Sequence, residues 1–147
     1  MKKHMRAPMP TAIACGILMD GQRMLFLSRK TSDGIEEICL PCVEVRKGED
    51  SVGAATVEFH RATGIDGYVS GAAFTGEHNC GTRKRKAWIP ALGFKIEAKN
   101  MKAAPSSEFS GAKWLEYDDA KKLRIAKNSI WILSASKKSE SPKSDPR

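Results

Sequence analysis

The sequence has no long hydrophobic run. None of its apolar stretches approaches the roughly 20 residues that a membrane-spanning helix needs, so no membrane span is expected. The basic N-terminal segment is not followed by an apolar stretch with a small-residue cleavage site, because the apolar run 11–19 is too short and is ended by Asp20 and Gly21. A secretory signal peptide is therefore not expected, and the sequence predicts a cytoplasmic protein without a membrane partner.

Cysteine is scarce, with four residues at Cys15, Cys39, Cys42 and Cys80. In a cytoplasmic protein we expect thiols rather than disulfides. Cys39 and Cys42 have the C-x-x-C spacing of redox and zinc motifs, but a zinc site would also need Cys15 and Cys80, and there is no second close pair. The sequence therefore predicts ordinary buried or half-buried thiols, with a metal or redox role as the alternative.

Negative charge is in short supply. The chain has 25 Lys and Arg residues against 17 Asp and Glu residues, a formal net charge of +8. Basic residues cluster near both ends and in the run Arg83-Lys84-Arg85-Lys86. A basic surface favours polyanions such as nucleotides or RNA. The run also fits a solvated turn between two strands, with Trp88 as the nearby aromatic residue for base stacking, and both interpretations stay open.

The 147 residues, 41% of them hydrophobic, suit one globular domain. We predict a flexible basic extension at 1–10, the domain at 11–135 and a disordered polar tail at 136–147. Strands are predicted at 12–19, 24–29, 38–45 (broken by Pro41), 68–75, 87–96 and 112–116, with loops at 28–37 and 98–110. Asp20 and Gly21 predict a hairpin turn between the first two strands.

Two helices are predicted. Asp50 or Ser51 can cap a helix over 51–63, where apolar residues recur at spacings of three and four and which Gly64 ends. A second helix is predicted over 117–135 from a similar apolar spacing. Strands around an internal helix, followed by a C-terminal helix, indicate a mixed α/β sandwich.

Residues 40–66 read LPCVEVRKGEDSVGAATVEFHRATGID. The segment resembles the signature of the Nudix (MutT-like) hydrolases, G-x5-E-x7-R-E-U-x-E-E-x-G-U, where U is a bulky apolar residue. Five of its nine constrained positions match, at Glu49, Glu58, Phe59, Gly64 and Ile65. The box is degenerate at the other four, where Val43 replaces the first glycine, Val57 the arginine, and Arg61 and Ala62 the paired carboxylates.

The resemblance implies a fold of the α/β class, a Nudix-type α/β/α sandwich with a mixed β-sheet over about residues 11–135. The spacing from Glu108 to Trp114 also looks like the family. In the family, carboxylates hold Mg²⁺ or Mn²⁺ against a pyrophosphate, and the ions neutralise charge and activate a water. The resemblance therefore implies three catalytic carboxylates: Glu58 as base or metal ligand, Glu108 as a further metal ligand or base, and Glu49 as a tie between loop and helix.

The residues at 61 and 62 put this chemistry in doubt. Arg61 follows Glu58 by three residues, so the two side chains can pair on a helix. Its guanidinium brings a permanent positive charge to the place where the family binds a metal, and Ala62 supplies no ligand.

Two interpretations follow from this replacement. In the first, the protein binds nucleoside diphosphate-linked compounds, with metal-dependent hydrolysis weakened or lost, no metal cofactor, and Arg61 as a phosphate contact. In the second, it is an active pyrophosphohydrolase whose Mg²⁺ or Mn²⁺ is held by Glu58, Glu108 and other oxygens, such as those of Glu77 or Glu44.

Three further residues complete the predicted site. His60 lies beside Glu58, and Glu77 and His78 lie near the expected cleft, so each is a candidate substrate contact with an ordinary solvated role as the alternative. A non-catalytic RNA-binding or protein-interaction module is a further alternative for the whole chain. Dimers are common in the family, so a homodimer is one expectation for the assembly.

Overall fold

The computed structural model describes residues 9–140, with side chains described as far as residue 135. Within this range the strands are β1 (Ala12–Ile17), β2 (Met19–Asp20), β3 (Arg23–Lys30), β4 (Glu36–Cys39), β5 (Cys42–Val45), β6 (Tyr68–Asn79), β7 (Trp88–Glu97) and β8 (Gly111–Leu115). The helices are α1 (Ser51–Thr63), α2 (Tyr117–Ala120) and α3 (Trp131–Glu140), with a short 3₁₀ helix at Lys127–Ser129. In this part of the chain, every helix falls short of the length and apolarity that crossing a membrane requires.

The strands form two sheets. The first has the order β5-β1-β7-β6 and is mixed, because β1 and β7 are parallel while the other pairs are antiparallel. In the second, β3 lies between β4 and β8, and β2 pairs with the start of β3. Helix α1 packs on β1 and β5, and α3 packs on β6. The predicted mixed α/β sandwich is therefore confirmed.

The two faces of β1 contribute to separate parts of the core. Ile13, Cys15 and Ile17 belong to a cluster that joins both sheets to α3. Ala12 and Ala14 alternate with them and pack with residues of α1 and β5. All six residues of β1 are buried, as expected for a strand that is covered on both faces.

Glycines make room for the largest side chain of α3. Trp131 is only 4% exposed. A Cβ at Gly76 would lie 3.0 Å from Cε3 of its ring, and a Cβ at Gly93 would lie 3.0 Å from Cη2. The absence of side chains at these positions of β6 and β7 therefore permits the close packing of α3 against the first sheet.

The N-terminal strands differ from the prediction in two ways. The predicted strand 12–19 breaks at Leu18, which leaves β1 in the first sheet and β2 in the second. The predicted loop 28–37 is also shorter, because β3 continues to Lys30 and β4 begins at Glu36. Arg29 and Glu37 face each other across this ladder and form an ion pair of 3.1 Å, which supports the longer strands.

The prediction of one helix over 117–135 is wrong. After α2 the chain is extended, because Ile38 of β4 donates to the carbonyl of Arg124 (2.9 Å) and accepts from the amide of Ala126 (2.8 Å). These bonds to a distant strand replace the local ones that a helix needs. Helix α3 then runs to Glu140, so the first part of the predicted disordered tail is helical. Residues 1–8 and 141–147, which hold most of both predicted terminal segments, lie outside the described residues.

The cysteines also differ from the prediction. Cys15 and Cys42 face each other in the β1–β5 pair, with a Cα–Cα distance of 4.0 Å, and form a disulfide. Cys39 and Cys80 are thiols, and burial raises the pKa of Cys39 to about 11. The thiol prediction is therefore wrong for Cys15 and Cys42, and a zinc site of four cysteines does not form. The register that joins the two residues is a tertiary property that their spacing does not reveal.

Candidate functional site

Helix α1 positions the box residues, and both of its ends follow the predicted signals. Asp50 caps the first turn, its carboxylate accepting from the amides of Val52 (3.3 Å) and Gly53 (3.1 Å). Gly64 ends the helix in the left-handed region with φ 75°. Burial of Ala55, Phe59 and Ala62 fixes the rotation of the helix. The predicted helix 51–63 is therefore confirmed.

Glu49 closes the turn before α1. Its carboxylate accepts from the amide of Arg46 (2.8 Å), and its own amide donates to the Arg46 carbonyl (3.0 Å). Gly48 between them has φ 87°, a conformation that favours glycine. This is the geometry of a loop tie, whereas a catalytic part for Glu49 stays a prediction.

Arg61 lies between two carboxylates. Its Nε and Nη2 atoms donate to both oxygens of Glu58, at 2.9 and 2.6 Å. Its Nη1 atom donates to Oε1 of Glu108 at 2.8 Å, and Nη2 is 3.5 Å from Oε2 of the same residue. We call these three residues the Arg61 clamp. Its first half is the pairing that the spacing of Glu58 and Arg61 predicts.

All three side chains of the clamp are ionisable, and their formal charges add up to −1. Hydrogen bonds to Glu58 and Glu108 raise the pKa of Arg61 above its ordinary value. The bond from Arg61 lowers the pKa of Glu108. Glu58 is the best covered of the three, with 17% of its side chain exposed against 47% for Arg61 and 50% for Glu108. At neutral pH the clamp therefore contains one fixed cation between two anions.

The segment 98–110 brings Glu108 to α1 by capping the end of the helix. The amide of Ala104 donates to the Thr63 carbonyl (2.7 Å), and the amide of Ser106 donates to the Ala62 carbonyl (3.1 Å). These bonds satisfy carbonyls that a helix end leaves unpaired. The hydroxyl of Ser106 also donates to Glu108 (3.3 Å). The clamp and the backbone contacts together hold this segment on the helix.

A second ion-pair network lies close to the clamp. Glu37 is bound by Arg29 (3.1 Å) and Arg124 (3.7 Å), and its side chain is 12% exposed. The charge of Arg29 contributes to lowering the pKa of Glu108. Sequence reasoning missed these residues, because charged residues in a strand and a loop carry no signal of a shared site.

The structure separates the remaining predicted contacts. His60 pairs with Asp66 at 3.1 Å, and Asp66 lines a groove of about 510 Å³. The other groove residues are Gly64, Ile65, Gly67, Tyr68, Glu97, Ala98, Lys99, Asn100 and Lys102. Glu77 and His78 lie near the opposite end of β6 from Tyr68.

His78 lies in a different environment from the clamp. It is buried, and desolvation, followed by the charge of Lys127, lowers its pKa, so the ring is neutral at pH 7. Glu44, an additional oxygen donor in the second interpretation, pairs with Arg46 at 2.9 Å. Substrate contacts by His60, Glu77 and His78 stay predictions.

The residues present do not fit a divalent metal ion. Mg²⁺ and Mn²⁺ need several oxygen ligands around one point. Here the guanidinium of Arg61 fills the position between the carboxylates of Glu58 and Glu108, and Ala62 offers no donor. Among residues 9–135, no group of three or more His, Cys, Asp or Glu side chains is placed to hold a metal. The guanidinium of Arg61 thus stands where a metal ion would be expected.

The architecture is that of a known fold. The chain has the fold of the Nudix (MutT-like) hydrolases, an α/β/α sandwich with a mixed sheet, as the resemblance implied. The E. coli ORF135 protein matches with a TM-score of 0.71 and 15% identity, over 92% of this chain and 94% of that one. A MutT protein from Methanosarcina mazei Go1 matches with a TM-score of 0.67 and 15% identity, over 92% and 96%.

A third similar structure contains a ligand. The Nudix domain of Shewanella oneidensis NrtR, in a cocrystal structure with ADP ribose, has a TM-score of 0.58 and 12% identity, over 92% of this chain and 91% of that one. At such identities the likeness concerns the fold alone. No family model matches the sequence, and neither does any curated protein.

Proposed function

We propose that this chain is a Nudix-fold protein that binds nucleoside diphosphate-linked compounds and does not hydrolyse them by the metal-dependent route of the family. The observation that carries the proposal is the Arg61 clamp. A divalent ion at Glu58 and Glu108 would have to displace a guanidinium that makes a bidentate pair with one carboxylate and a 2.8 Å bond with the other. The displaced cation would stay nearby and repel the ion.

The fold and the groove support this ligand class. The Shewanella relative was solved with ADP ribose. The groove of about 510 Å³ falls in the usual range for a small-molecule site, roughly 300–1,000 Å³. The exposed ring of Tyr68 offers a stacking surface for a base, and Lys99 and Lys102 offer cations for phosphates. We therefore assign the ligand to the groove beside the C-terminal end of α1.

The clamp itself is a poor phosphate site while it is closed, because its net charge is −1. A direct phosphate contact by Arg61 requires the phosphate to replace one of the two carboxylates. We infer that the clamp instead holds segment 98–110 in place, and with it Lys99 and Lys102. In this proposal Arg61 shapes the groove as a positioning residue.

The first experiment compares binding with turnover. The purified chain is incubated with ADP-ribose, nucleoside triphosphates and dinucleoside polyphosphates, with and without Mg²⁺ or Mn²⁺. Phosphate release and ligand-induced thermal shift are then measured. We expect thermal shifts without turnover and without a metal requirement. Metal-dependent turnover that is lost in Glu58→Gln would establish the alternative, an active hydrolase with an atypical metal site.

A second experiment restores the family's carboxylates. The double variant Arg61→Glu/Ala62→Glu removes the internal cation and adds two donors. We expect Mn²⁺ binding, followed by water-proton relaxation, to be undetectable in the unchanged chain and measurable in the variant. Equal Mn²⁺ binding in both proteins would contradict the role assigned to the clamp.

A third experiment tests the groove. Lys99→Ala/Lys102→Ala should reduce the thermal shift given by ADP-ribose, because both phosphate-binding cations are lost. The matched control is Lys30→Ala/Lys122→Ala, which removes the same charge from exposed positions outside the groove. An equal reduction in both variants would show a general charge effect and would sink the groove assignment.

A further inference from the structure

The turn between β6 and β7 is an ordered structure. We call residues 79–88 the basic tip. The side chain of Asn79 accepts from the amides of Gly81 (3.0 Å) and Ala87 (2.9 Å), and the hydroxyl of Thr82 accepts from the amide of Arg85 (2.8 Å). The Cys80 amide donates to the Ala87 carbonyl (2.8 Å), which continues the ladder into the turn. The backbone that presents the basic residues is therefore fixed by side-chain bonds.

The tip concentrates cations that lack acidic partners. Arg83, Lys84, Arg85 and Lys86 are all exposed. Within the part of the chain that the structure describes, none of them forms an ion pair, whereas every other arginine does: Arg23, Arg29, Arg46, Arg61 and Arg124. Four neighbouring cations repel one another, so an anionic partner that neutralises them is favoured.

An exposed aromatic ring lies beside these cations. Trp88 is 58% exposed, whereas Trp131 is 4% exposed. Trp88 pairs with Asn79 in the ladder and alternates with Ile89, which belongs to the core. Among the described residues the single cation–π contact is that of Lys121 with Tyr117. No described cation therefore lies over the ring of Trp88. Its face is free for another planar group.

We propose that the basic tip binds single-stranded nucleic acid, with phosphates on the cations and an unpaired base stacked on Trp88. Aromatic rings interleaved with basic residues are the general means by which proteins hold single strands. A duplex keeps its base faces stacked, and a simple polyanion has none, so neither uses the ring. The tip and the groove lie at opposite ends of the β6–β7 pair, so this inference does not depend on the proposed small-molecule function.

Binding is tested by fluorescence anisotropy with labelled 12-nucleotide oligo(U) and oligo(dT) over a range of salt concentrations. Each phosphate contact on a single strand contributes about 0.7 to the slope of log K against log salt. Arg83→Ala/Lys84→Ala should therefore weaken binding and reduce the slope by about 1.4. The control Lys30→Ala/Lys122→Ala, which also removes two exposed charges, should change the slope little.

Substitutions at Trp88 distinguish the contribution of base stacking from that of charge. Trp88→Ala should weaken binding by about 5- to 150-fold at an unchanged salt slope, because stacking contributes roughly 1–3 kcal/mol per base. Trp88→Phe keeps a ring and should retain most of the affinity. Thermal unfolding of each variant shows that the fold is intact, which is expected because these side chains lie outside the core.

Three results would overturn the inference. The first is an equal loss in the tip and control pairs, which would indicate diffuse charge. The second is an unchanged affinity in Trp88→Ala. The third is equal or tighter binding to heparin, to a DNA duplex or to vesicles containing anionic lipid. The two labelled strands distinguish RNA from DNA, since only RNA offers a 2′-hydroxyl.

Discussion

At the scale of single residues, Arg61 places a permanent cation between two carboxylates beside α1. A planar guanidinium can bind one carboxylate through two bonds and another through a third, as it does with Glu58 and Glu108. Lysine has one nitrogen and cannot reproduce this fork. In the proposed function, Arg61 therefore helps to hold the segment 98–110 on α1 and occupies the space that a metal would need.

The stability that the Arg61–Glu108 ion pair contributes should depend on pH. The folded-state pKa of Glu108 lies below its ordinary value of 4.5, so the pair contributes stability above about pH 4.5 and loses it as the pH falls through the lowered pKa. An exposed pair contributes at most about 1 kcal/mol. We expect Glu108→Gln to melt slightly below the unchanged chain at pH 7, and this difference to shrink as the pH falls toward 2.

This comparison is made by thermal unfolding between pH 2 and pH 8. Arg61→Ala is the control, since in that background Glu108→Gln should have a smaller effect, with only Ser106 and the charge of Arg29 left to stabilise the carboxylate. A stability gap that persists undiminished at pH 2 would argue against the ion pair as its source.

The glycine beneath Trp131 gives a second residue-scale prediction. A Cβ at Gly93 would lie 3.0 Å from the Trp131 ring and 3.1 Å from Ile17. Gly93→Ala should therefore lower the free energy of unfolding by about 1–3 kcal/mol, the usual cost of overpacking a core. Urea unfolding measures this change.

Gly111→Ala is the matched control for this prediction. The nearest atom to a Cβ there is the Ser28 hydroxyl at 3.6 Å, an ordinary contact. Similar losses at the two glycines would show that backbone flexibility, and not the space under Trp131, sets the cost.

At the scale of elements, helix α1 and the region after α2 differ in how well the sequence predicts their structure. Helix α1 could be predicted to the residue because Asp50, the apolar spacing and Gly64 all act within the helix. The region after α2 could not, because its conformation depends on bonds to Ile38 and Leu40 in a distant part of the chain. The amide of Leu40, for example, donates to the hydroxyl of Ser129 at 2.8 Å.

The candidate site shows the same division. The pairing of Glu58 with Arg61 follows from a spacing of three on a helix. The resemblance supplied Glu108 as a candidate carboxylate, but the capping of α1 by segment 98–110 was not foreseen. Neither was the network around Glu37, because its partners Arg29 and Arg124 come from separate elements. Tertiary packing, which no local pattern encodes, brings these groups together.

The cap of α1 carries an element-scale prediction. Asp50 satisfies two amides of the first turn, so Asp50→Ala should lower the free energy of unfolding by roughly 0.5–2 kcal/mol. Asp50→Ser restores an acceptor and should recover most of the loss. Chemical denaturation followed by circular dichroism measures both variants. If alanine and serine are equally stable, the cap is not the cause.

At the scale of the whole molecule, the disulfide links residues 27 positions apart and encloses the chain from β1 to β5. Disulfides persist in oxidising compartments and are rare in reducing ones. The cytoplasmic location therefore stays a prediction. Cys39 lies outside this bond, and its raised pKa of about 11 keeps it protonated and unreactive near neutral pH.

Opening this bond should destabilise the whole fold. A loop of this length corresponds to about 3.5 kcal/mol in the chain-entropy description. We expect the reductant TCEP to lower the melting temperature of the oxidised chain and to leave that of Cys15→Ala/Cys42→Ala unchanged. A thiol titration before and after reduction should show two additional thiols in the unfolded protein. If reduction adds no thiols, the link is absent from the protein in solution.

The burial of Trp131 against Gly76 and Gly93 also affects the fluorescence of the protein. The indole nitrogen of Trp131 is buried and has no hydrogen-bond partner among the described residues, whereas most of Trp88 faces water. An indole in dry, apolar surroundings emits at shorter wavelength than a hydrated one. The contribution of Trp131 to the blue side of the emission spectrum therefore reports the packing of α3 on the first sheet, and that of Trp88 to the red side reports the surface near the turn of β6 and β7, with the half-buried Trp114 as a further emitter.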